Sequence, residues 1–259
     1  MQPDHLLYNA RFPLSNEYDP DWVMANEMGP NALWMSELLV EEMTIRAGMR
    51  VLDMGCGRGM SSIFLAREFG ARVWANDLWI SPDDNWTRFV AAGMANQICP
   101  IKAEARQLPY AAGFFEAIFS IDSYHYYGTD DLYLAYILRF LESGGQLGMM
   151  IPGLTRPLDL TDVPTHLKKK QASGAVFWNP AECFSFHTPD WWRGHLEKTG
   201  LVTVQTCRLV DDGWKLWLQW ERAREAAGGG FSAFPSDAET IEADGGAYLG
   251  FVLVVAQKR

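Results

Sequence analysis

The run VLDMGCGRGMSS, Val51 to Ser62, constrains the fold more than any other stretch of the chain. An apolar strand delivers the backbone into Gly55, Gly57 and Gly59, and a helical pattern follows at once. Glycine adopts positive φ without steric cost and lets ligand atoms approach bare backbone. The flanking sequence repeats the same alternation of short apolar runs and helical patterns, the βαβ signature of a parallel sheet. Strands are expected at 49–54, 71–76, 99–103, 116–121 and 146–153, the last ended by Pro152. Helices are expected at 61–70, at 84–96 with Asp83 or Asp84 as cap, and at 129–145 with an acidic start and a glycine stop.

Beyond Gly153 the periodicity becomes irregular, with Pro157, Pro164 and the run Lys168-Lys169-Lys170, and 154–187 reads as an inserted cap segment. A helix with a Thr188 cap and a proline in its first turn follows at 188–201, then a strand at 202–210 and a helix at 214–227. The Gly-rich, acidic stretch 231–246 is expected to be mobile, and 247–258 is a long final strand. Residues 1–44 precede the first strand and carry apolar residues at helical spacing in NALWMSELLVEEM. They read either as a lid over the crevice at the glycine turn or as a helical buttress on the sheet edge. The rest, 45–259, reads as one ligand-binding domain.

Charge and composition narrow the partners. With 22 Lys and Arg against 32 Asp and Glu, the net charge of −10 repels phosphate backbones and anionic membranes. Nucleic acid is therefore not expected as a partner, nor is a membrane span, because the apolar runs are short. The early Asp4 and the lack of an apolar leader predict no secretory signal. Cys56, Cys99, Cys183 and Cys207 lie far apart with no C-x-x-C pair. That spacing predicts a reducing, cytoplasmic compartment, with neither a disulfide framework nor a metal site.

The glycine spacing G-x-G-x-G is not the dinucleotide fingerprint G-x-G-x-x-G. Asp53 lies two residues before the first glycine, where a carboxylate repels pyrophosphate and suits a cationic amine or sulfonium. The second strand ends in Asp77, 24 residues after Asp53. Neighbouring strands of a parallel sheet present their carboxyl ends to one crevice, so Asp77 is placed to accept hydrogen bonds from a ribose diol. After the third strand, Glu104 and Ala105 can meet an adenine edge.

These motifs, taken in order, carry a resemblance. VLDMGCGRG, VWANDLW, AEARQLPY, FFEAIFSIDSYHYYG and LESGGQLGMMIPG make the run from Gly48 to Gly153 similar to class I S-adenosylmethionine (SAM)-dependent methyltransferases. The similarity is to the small-molecule branch that includes ubiquinone and menaquinone C-methyltransferases and sarcosine or glycine N-methyltransferases. The resemblance implies an α/β, Rossmann-like, doubly wound and mostly parallel seven-stranded sheet whose last strand runs antiparallel. It implies SAM as cofactor, with S-adenosylhomocysteine as product. It places Asp53, Gly55 and Gly57, with Cys56 between them, at the methionine part of SAM. It places Asp77 at the ribose, Leu78 and Trp79 beside the adenine ring, and Glu104 and Ala105 at the adenine edge. Ile121 and Asp122 fall near the sulfonium. Glu104 departs from the commoner Asp, and Trp79 is bulkier than usual.

On the acceptor side, the segment after the fourth strand offers Asp122, Tyr124, His125 and Tyr126. His125 is a candidate general base near neutral pH, or else a satisfied structural histidine. The 11 Trp residues also ask for a role. Trp178 and Trp191 are candidates for the acceptor wall, whereas Trp214, Trp217 and Trp220, on one helix face, read more readily as core. Aromatic walls suit a flat apolar or an amine-containing small molecule. The competing readings are a NAD-type oxidoreductase on a similar sheet and a non-catalytic SAM-binding regulatory subunit.

Overall fold

Seven strands form one sheet in the order β3-β2-β1-β4-β5-β7-β6. In chain order they are β1 (Arg50–Met54), β2 (Arg72–Asp77), β3 (Ile98–Lys102), β4 (Phe115–Ile121), β5 (Leu141–Leu154), β6 (Val202–Leu209) and β7 (Leu249–Lys258). Strands β1 to β5 pair in parallel, and β7 inserts antiparallel between β5 and β6. The structure is a computed structural model that describes residues 1, 5–228 and 235–259.

Ten helices are seen among the described residues. They are α1 (Pro20–Ala25), α2 (Ala32–Glu42), α3 (Met60–Phe69), α4 (Pro82–Ala91), α5 (Tyr133–Ile137), α6 (Thr165–Lys168), α7 (Pro180–Cys183), α8 (Pro189–Glu197), α9 (Gly213–Ala226) and α10 (Ala238–Asp244). Because successive side chains of a strand point to opposite faces, the sheet carries two cores. Val51, Val73, Ala117 and Phe119 join α2, α3 and α9 on one face. Leu52, Ile118, Leu147 and Met149 join α5 and α8 on the other. Burial of both faces is why these strands read as continuous apolar runs.

Four sequence expectations need correction. The helix expected at 129–145 is only α5, and the chain returns to the sheet at Leu141, which pairs with Phe115. The next β4–β5 pair is Ala117 with Gln146, so Glu142 to Gly145 loop out of register around Gly144 at φ 79°. Pro152 does not end β5: it lies beyond the last β4 pair, Ile121 with Met150, on an edge that tolerates a missing N–H, and it stays opposite Phe251 in β7. Helix α4 is capped by Ser81, whose Oγ accepts from Asp84 N at 3.1 Å, rather than by Asp83 or Asp84. Of the stretch expected to be mobile, 235–246 contains α10 with Ile241 fully buried, while 231–234 and the end of the Gly228-Gly229-Gly230 run lie outside the described residues.

The N-terminal residues are built into this framework. Asn31 caps α2 through its side-chain oxygen, and α2 packs on α3, β4, β5 and β7. Trp217 stacks on Phe251 at 5.1 Å, and Trp220 meets Trp34 edge-on at 6.4 Å. That face of α9 is core, as its helical spacing favours.

Candidate active site

The crevice lies at the carboxyl ends of β1 and β4. Gly55, Gly57 and Gly59 all have positive φ, at 73°, 53° and 79°, and Gly59 is the N-cap of α3. A Cβ at Gly55 would sit 2.0 Å from Ser123 Oγ, and one at Gly57 would sit 3.2 Å from Met28 Sδ. The turn is therefore clasped between the β4 exit and the N-terminal segment, and only glycine fits its closest approach.

Asp53 is fully buried at the floor. Its Oδ2 accepts from the hydroxyls of Ser61 and Ser62, each at 2.6 Å, while Oδ1 has no hydrogen-bond partner. Burial pushes its pKa up to about 6, against the opposing pull of the two hydroxyls. A buried carboxylate oxygen with nothing to accept is a fit for a cationic amine and a misfit for phosphate.

Asp77 closes the other side. Its Oδ2 accepts from Gly57 N at 2.9 Å, and its Oδ1 accepts from Trp79 N at 2.7 Å and Ile80 N at 2.9 Å. Those three donors hold the nearly buried carboxylate against the back of the glycine turn. Leu78 and Trp79 beside it are 49% and 69% exposed, so neither is committed to the core. Past β3, Glu104 accepts from Arg106 N at 2.7 Å, and the Ala105 carbonyl accepts from Tyr133 Oη at 3.2 Å. Asn76 Nδ2 donates to the Ala103 carbonyl, tying the β2 and β3 exits together.

At the β4 exit, Ile121 and Asp122 line the same crevice as Gly55, Cys56 and Gly57, around a cavity of about 40 Å³. Asp122 has φ 50°, rare for a residue with a side chain, and its N–H donates to the Met150 carbonyl at 2.8 Å. Tyr124 and His125 follow in a 3-10 turn, Tyr124–Tyr126, and both are fully buried. Tyr124 packs against Tyr127, Tyr133 and Trp192 in the core of the opposite face, and burial raises its pKa. Neither ring nitrogen of His125 has a hydrogen-bond partner, and burial pushes its pKa down to about 3. This corrects the expectation of a base poised near neutrality: desolvation holds the imidazole neutral and weakly basic. Tyr126 is 52% exposed and lies against the His125 ring at 4.0 Å.

The two tryptophan candidates do not line this crevice. Trp178 is buried among the residues of the inserted segment, its N–H bonded to the Leu167 carbonyl. Trp191 is sandwiched between His187 at 3.5 Å and His195 at 4.6 Å. In their place the structure brings in residues that sequence reasoning missed. Asn26, Met28, Pro30 and Ala32 line the crevice from the N-terminal side. Arg88 Nε donates to Asn26 Oδ1 at 3.0 Å, and Trp220 Nε1 donates to the Gly29 carbonyl at 2.7 Å. Ser61 and Ser62 carried a readable signal, two hydroxyls in the first helical turn after a buried acid; Met28 carried none. A second, larger concavity lies at the amino ends of β1 and β4, lined by Thr44, Arg46, Glu116 and Gln146, away from every glycine-turn residue.

Residues 51–145 match the family model described as a methyltransferase domain. This stretch is similar to a methyltransferase domain. It contains every cofactor-side candidate, from Asp53 to Ile121, and also Asp122, Tyr124, His125 and Tyr126. Trp178, Trp191 and the N-terminal segment lie outside it. Among curated proteins, methyltransferase GfsG of Streptomyces halstedii is 31% identical over 137 residues, covering 51% of this chain and 48% of the relative. The chain thus spans about half the length of that relative. Two solved structures share the fold at 17% identity. The [4+2]-cyclase SpnF has a TM-score of 0.66, covering 90% of this chain and 83% of that one. Geranyl diphosphate C-methyltransferase from Streptomyces coelicolor A3(2), solved with S-adenosyl-L-homocysteine, has a TM-score of 0.63, covering 87% and 78%. The fold is therefore the seven-stranded, Rossmann-like sheet with an antiparallel last strand that the resemblance implied.

Proposed function

We propose that the protein transfers a methyl group from SAM to a small-molecule acceptor. The observation that carries this reading is the pairing, across one glycine turn, of a buried acid with a free oxygen at Asp53 and a backbone-locked acid at Asp77. A ligand with an ammonium at one end and a ribose diol at the other satisfies both. When bound, SAM supplies a methyl group on a sulfonium, which an aligned nucleophile displaces in line.

Each residue then has a task. Asp53 takes the ammonium, the turn Gly55–Cys56–Gly57 lets the methionine part lie on backbone, and Asp77 takes the ribose hydroxyls. Leu78 and Trp79 offer exposed apolar surface to adenine, and Glu104 with Ala105 meets its edge. Ile121 and Asp122 face the reacting end. For an acceptor that must lose a proton, Asp122 is the better placed base: it lines the crevice, whereas His125 is enclosed and held neutral. The role of Tyr124 is to hold the 3-10 turn, and that of Tyr126 is to flank the acceptor. Residues 26–32 act as part of an N-terminal lid, and α2 as a buttress. The segment 154–187 caps the acceptor side, with Trp178 stiffening it and Trp191 bracing α8.

An aromatic or amine-containing acceptor fits the aromatic surroundings of Tyr126, and the net charge of −10 disfavours nucleic acid. Among the described residues no helix is long and apolar enough to cross a membrane. All four cysteines are free, which fits a cytoplasmic setting.

Calorimetric titration with SAM, S-adenosylhomocysteine and NADH tests the reading, followed by assay of S-adenosylhomocysteine release with amine, phenol and thiol acceptors. Micromolar binding of the adenosyl ligands is expected, and none of NADH. Binding without turnover across the panel favours the regulatory-subunit alternative, and NADH binding alone favours the oxidoreductase.

The Asp53 carboxyl makes the affinity depend on pH. Its pKa is raised from 3.8 to about 6, so the folded chain holds the proton more tightly than the unfolded one. Stability contributed by the neutral form is lost as pH rises through that window. A bound ammonium favours the carboxylate instead. Affinity for SAM and S-adenosylhomocysteine alike is expected to climb by up to about tenfold per pH unit below about 6, and affinity for S-adenosylhomocysteine to level off above it. Asp53→Asn is expected to flatten the climb for S-adenosylhomocysteine; a product climb that persists in that variant removes Asp53 from the amine site.

A further inference from the structure

We propose that Asp122 is the counter-charge for the sulfonium of the bound methyl donor, and that it makes the site prefer the charged donor to its neutral product. The inference rests on the donor being SAM, as proposed above. Four observations support it.

Asp122 lines the crevice together with Gly55, Gly57 and Ser61. Strand order places β2, β1 and β4 side by side, about 4.8 Å apart. In SAM the sulfur lies between the ribose and the amine-bearing carbon, so a ligand anchored on Asp77 at β2 and Asp53 at β1 holds its sulfur over the glycine turn, whose crevice Asp122, the first residue past β4, also lines. The side chain is also held there at a cost. A φ of 50° is strained for most residues with a side chain, and the N–H is fixed to the Met150 carbonyl. Gly29, at φ 109°, gives up its side chain to make room: a Cβ there would sit 2.4 Å from Asp122 Oδ2. Trp220 Nε1 pins the Gly29 carbonyl, so this clearance is built rather than incidental.

Within this enclosure no hydrogen-bond donor or cation is paired with the Asp122 carboxylate among the described residues. Asp122 is half-buried; a carboxylate there without a partner is costly when charged, and an organic cation restores the balance. Burial pushes the Asp122 pKa up to about 8. The titratable groups around it are few. Cys56 and Arg58 share the crevice lining, and the Arg58 guanidinium donates to the Ala25 carbonyl at 2.6 Å. Tyr126 of its own turn feels Asp122 and also Glu182 and Cys183 of α7. The N-terminal segment presents Gly29.

The cycle balances in charge and protons. Near neutral pH the empty site holds Asp122 largely as the acid, and sulfonium binding releases its proton to solvent. In transfer, the acceptor's lone pair forms the new bond to the methyl carbon, and the carbon–sulfur pair leaves on sulfur as a neutral thioether. The positive charge passes to the methylated acceptor, which gives its proton to the carboxylate or leaves as the cation; Asp122 then faces only the neutral thioether, so the product loses an attraction that the donor had.

The test measures Kd for SAM and for S-adenosylhomocysteine by calorimetry between pH 6 and pH 9, on the full chain and on Asp122→Asn. Asparagine also tolerates positive φ, and a thermal melt verifies that the variant folds; Asp122→Gly, which adopts the same φ freely, serves if it does not. In the wild type, preference for SAM over its product is expected to rise about tenfold as pH climbs through 8. In the variant, SAM affinity is expected to fall about tenfold with product affinity unchanged, and the preference to lose its pH dependence. A variant that weakens both ligands equally, or a wild-type preference that is flat with pH, overturns the assignment while leaving the donor reading intact. Failure of both ligands to bind the wild type overturns the donor reading as well.

Discussion

Asp77→Ala is expected to lower SAM affinity by at least about a hundredfold, close to 3 kcal/mol. The carboxylate is the acceptor for Gly57, Trp79 and Ile80 N–H groups at 2.9, 2.7 and 2.9 Å. Two hydroxyls of a ribose bonded to the same charged group are each worth about 1.5–3 kcal/mol when the acceptor is ionised. Alanine removes that and also orphans three donors, so the turn loses the strut behind Gly57. Part of the loss is then structural: the melting temperature falls too, although Trp79 is exposed and water can reach its N–H. Asp77→Asn separates the two effects. Its carbonyl oxygen keeps one or two of the backbone bonds, but its amide cannot accept, so stability recovers more than affinity does. Calorimetry with SAM beside a thermal melt of each variant measures this. A folded alanine variant that binds SAM as tightly as the parent removes Asp77 from the ribose site.

The glycine turn and its two neighbouring acids were legible because their signals are local. A strand feeding three glycines, an acid inside the strand, and a second acid at the next strand's end follow from parallel-sheet geometry; Gly55 and Gly57 line the crevice, and Asp77, bonded to Gly57 N, and the buried Asp53 lie behind them. The acceptor side depends on which atoms are enclosed, and residue type does not report enclosure. His125 reads as a base in sequence, yet the 3-10 turn directs it inward, and its pKa falls to about 3. Met28 and Gly29 carry no chemical signal at all; their place over the turn comes from Trp220 and Arg88, about 190 and 60 positions away in sequence. The helix pattern of 129–145 failed for a related reason. Tertiary pairing of Leu141 with Phe115 outcompeted local propensity, and Gly144 supplied the turn that made it possible.

Gly55→Ala is expected to cost about 3 kcal/mol of stability and to abolish donor binding. Two separate penalties combine at this position. The φ of 73° is a left-handed conformation, which costs a side-chain-bearing residue about 1–2 kcal/mol. A Cβ would in addition lie 2.0 Å from Ser123 Oγ and 2.4 Å from Ser123 Cβ, far inside contact distance, so either the glycine turn or the β4 exit must shift. Gly93→Ala isolates the first penalty, since Gly93 has φ 71° and nothing within 4 Å of an added Cβ. The difference between the two variants in urea unfolding therefore reads the steric part alone. That part should be reversible from the other side: Ser123→Gly deletes both clashing atoms, so the double variant is expected to return to about the Gly93→Ala loss, once corrected for the Ser123–Tyr127 hydroxyl contact at 3.0 Å that Ser123→Gly removes by itself. Donor binding should return with it, because the displaced β4 exit carries Asp122, and a shift of about 1 Å there moves the carboxylate away from the methyl-transfer point. If Gly55→Ala proves no worse than Gly93→Ala, the glycine turn and the β4 exit do not share a wall, and the crevice is not organised around their contact.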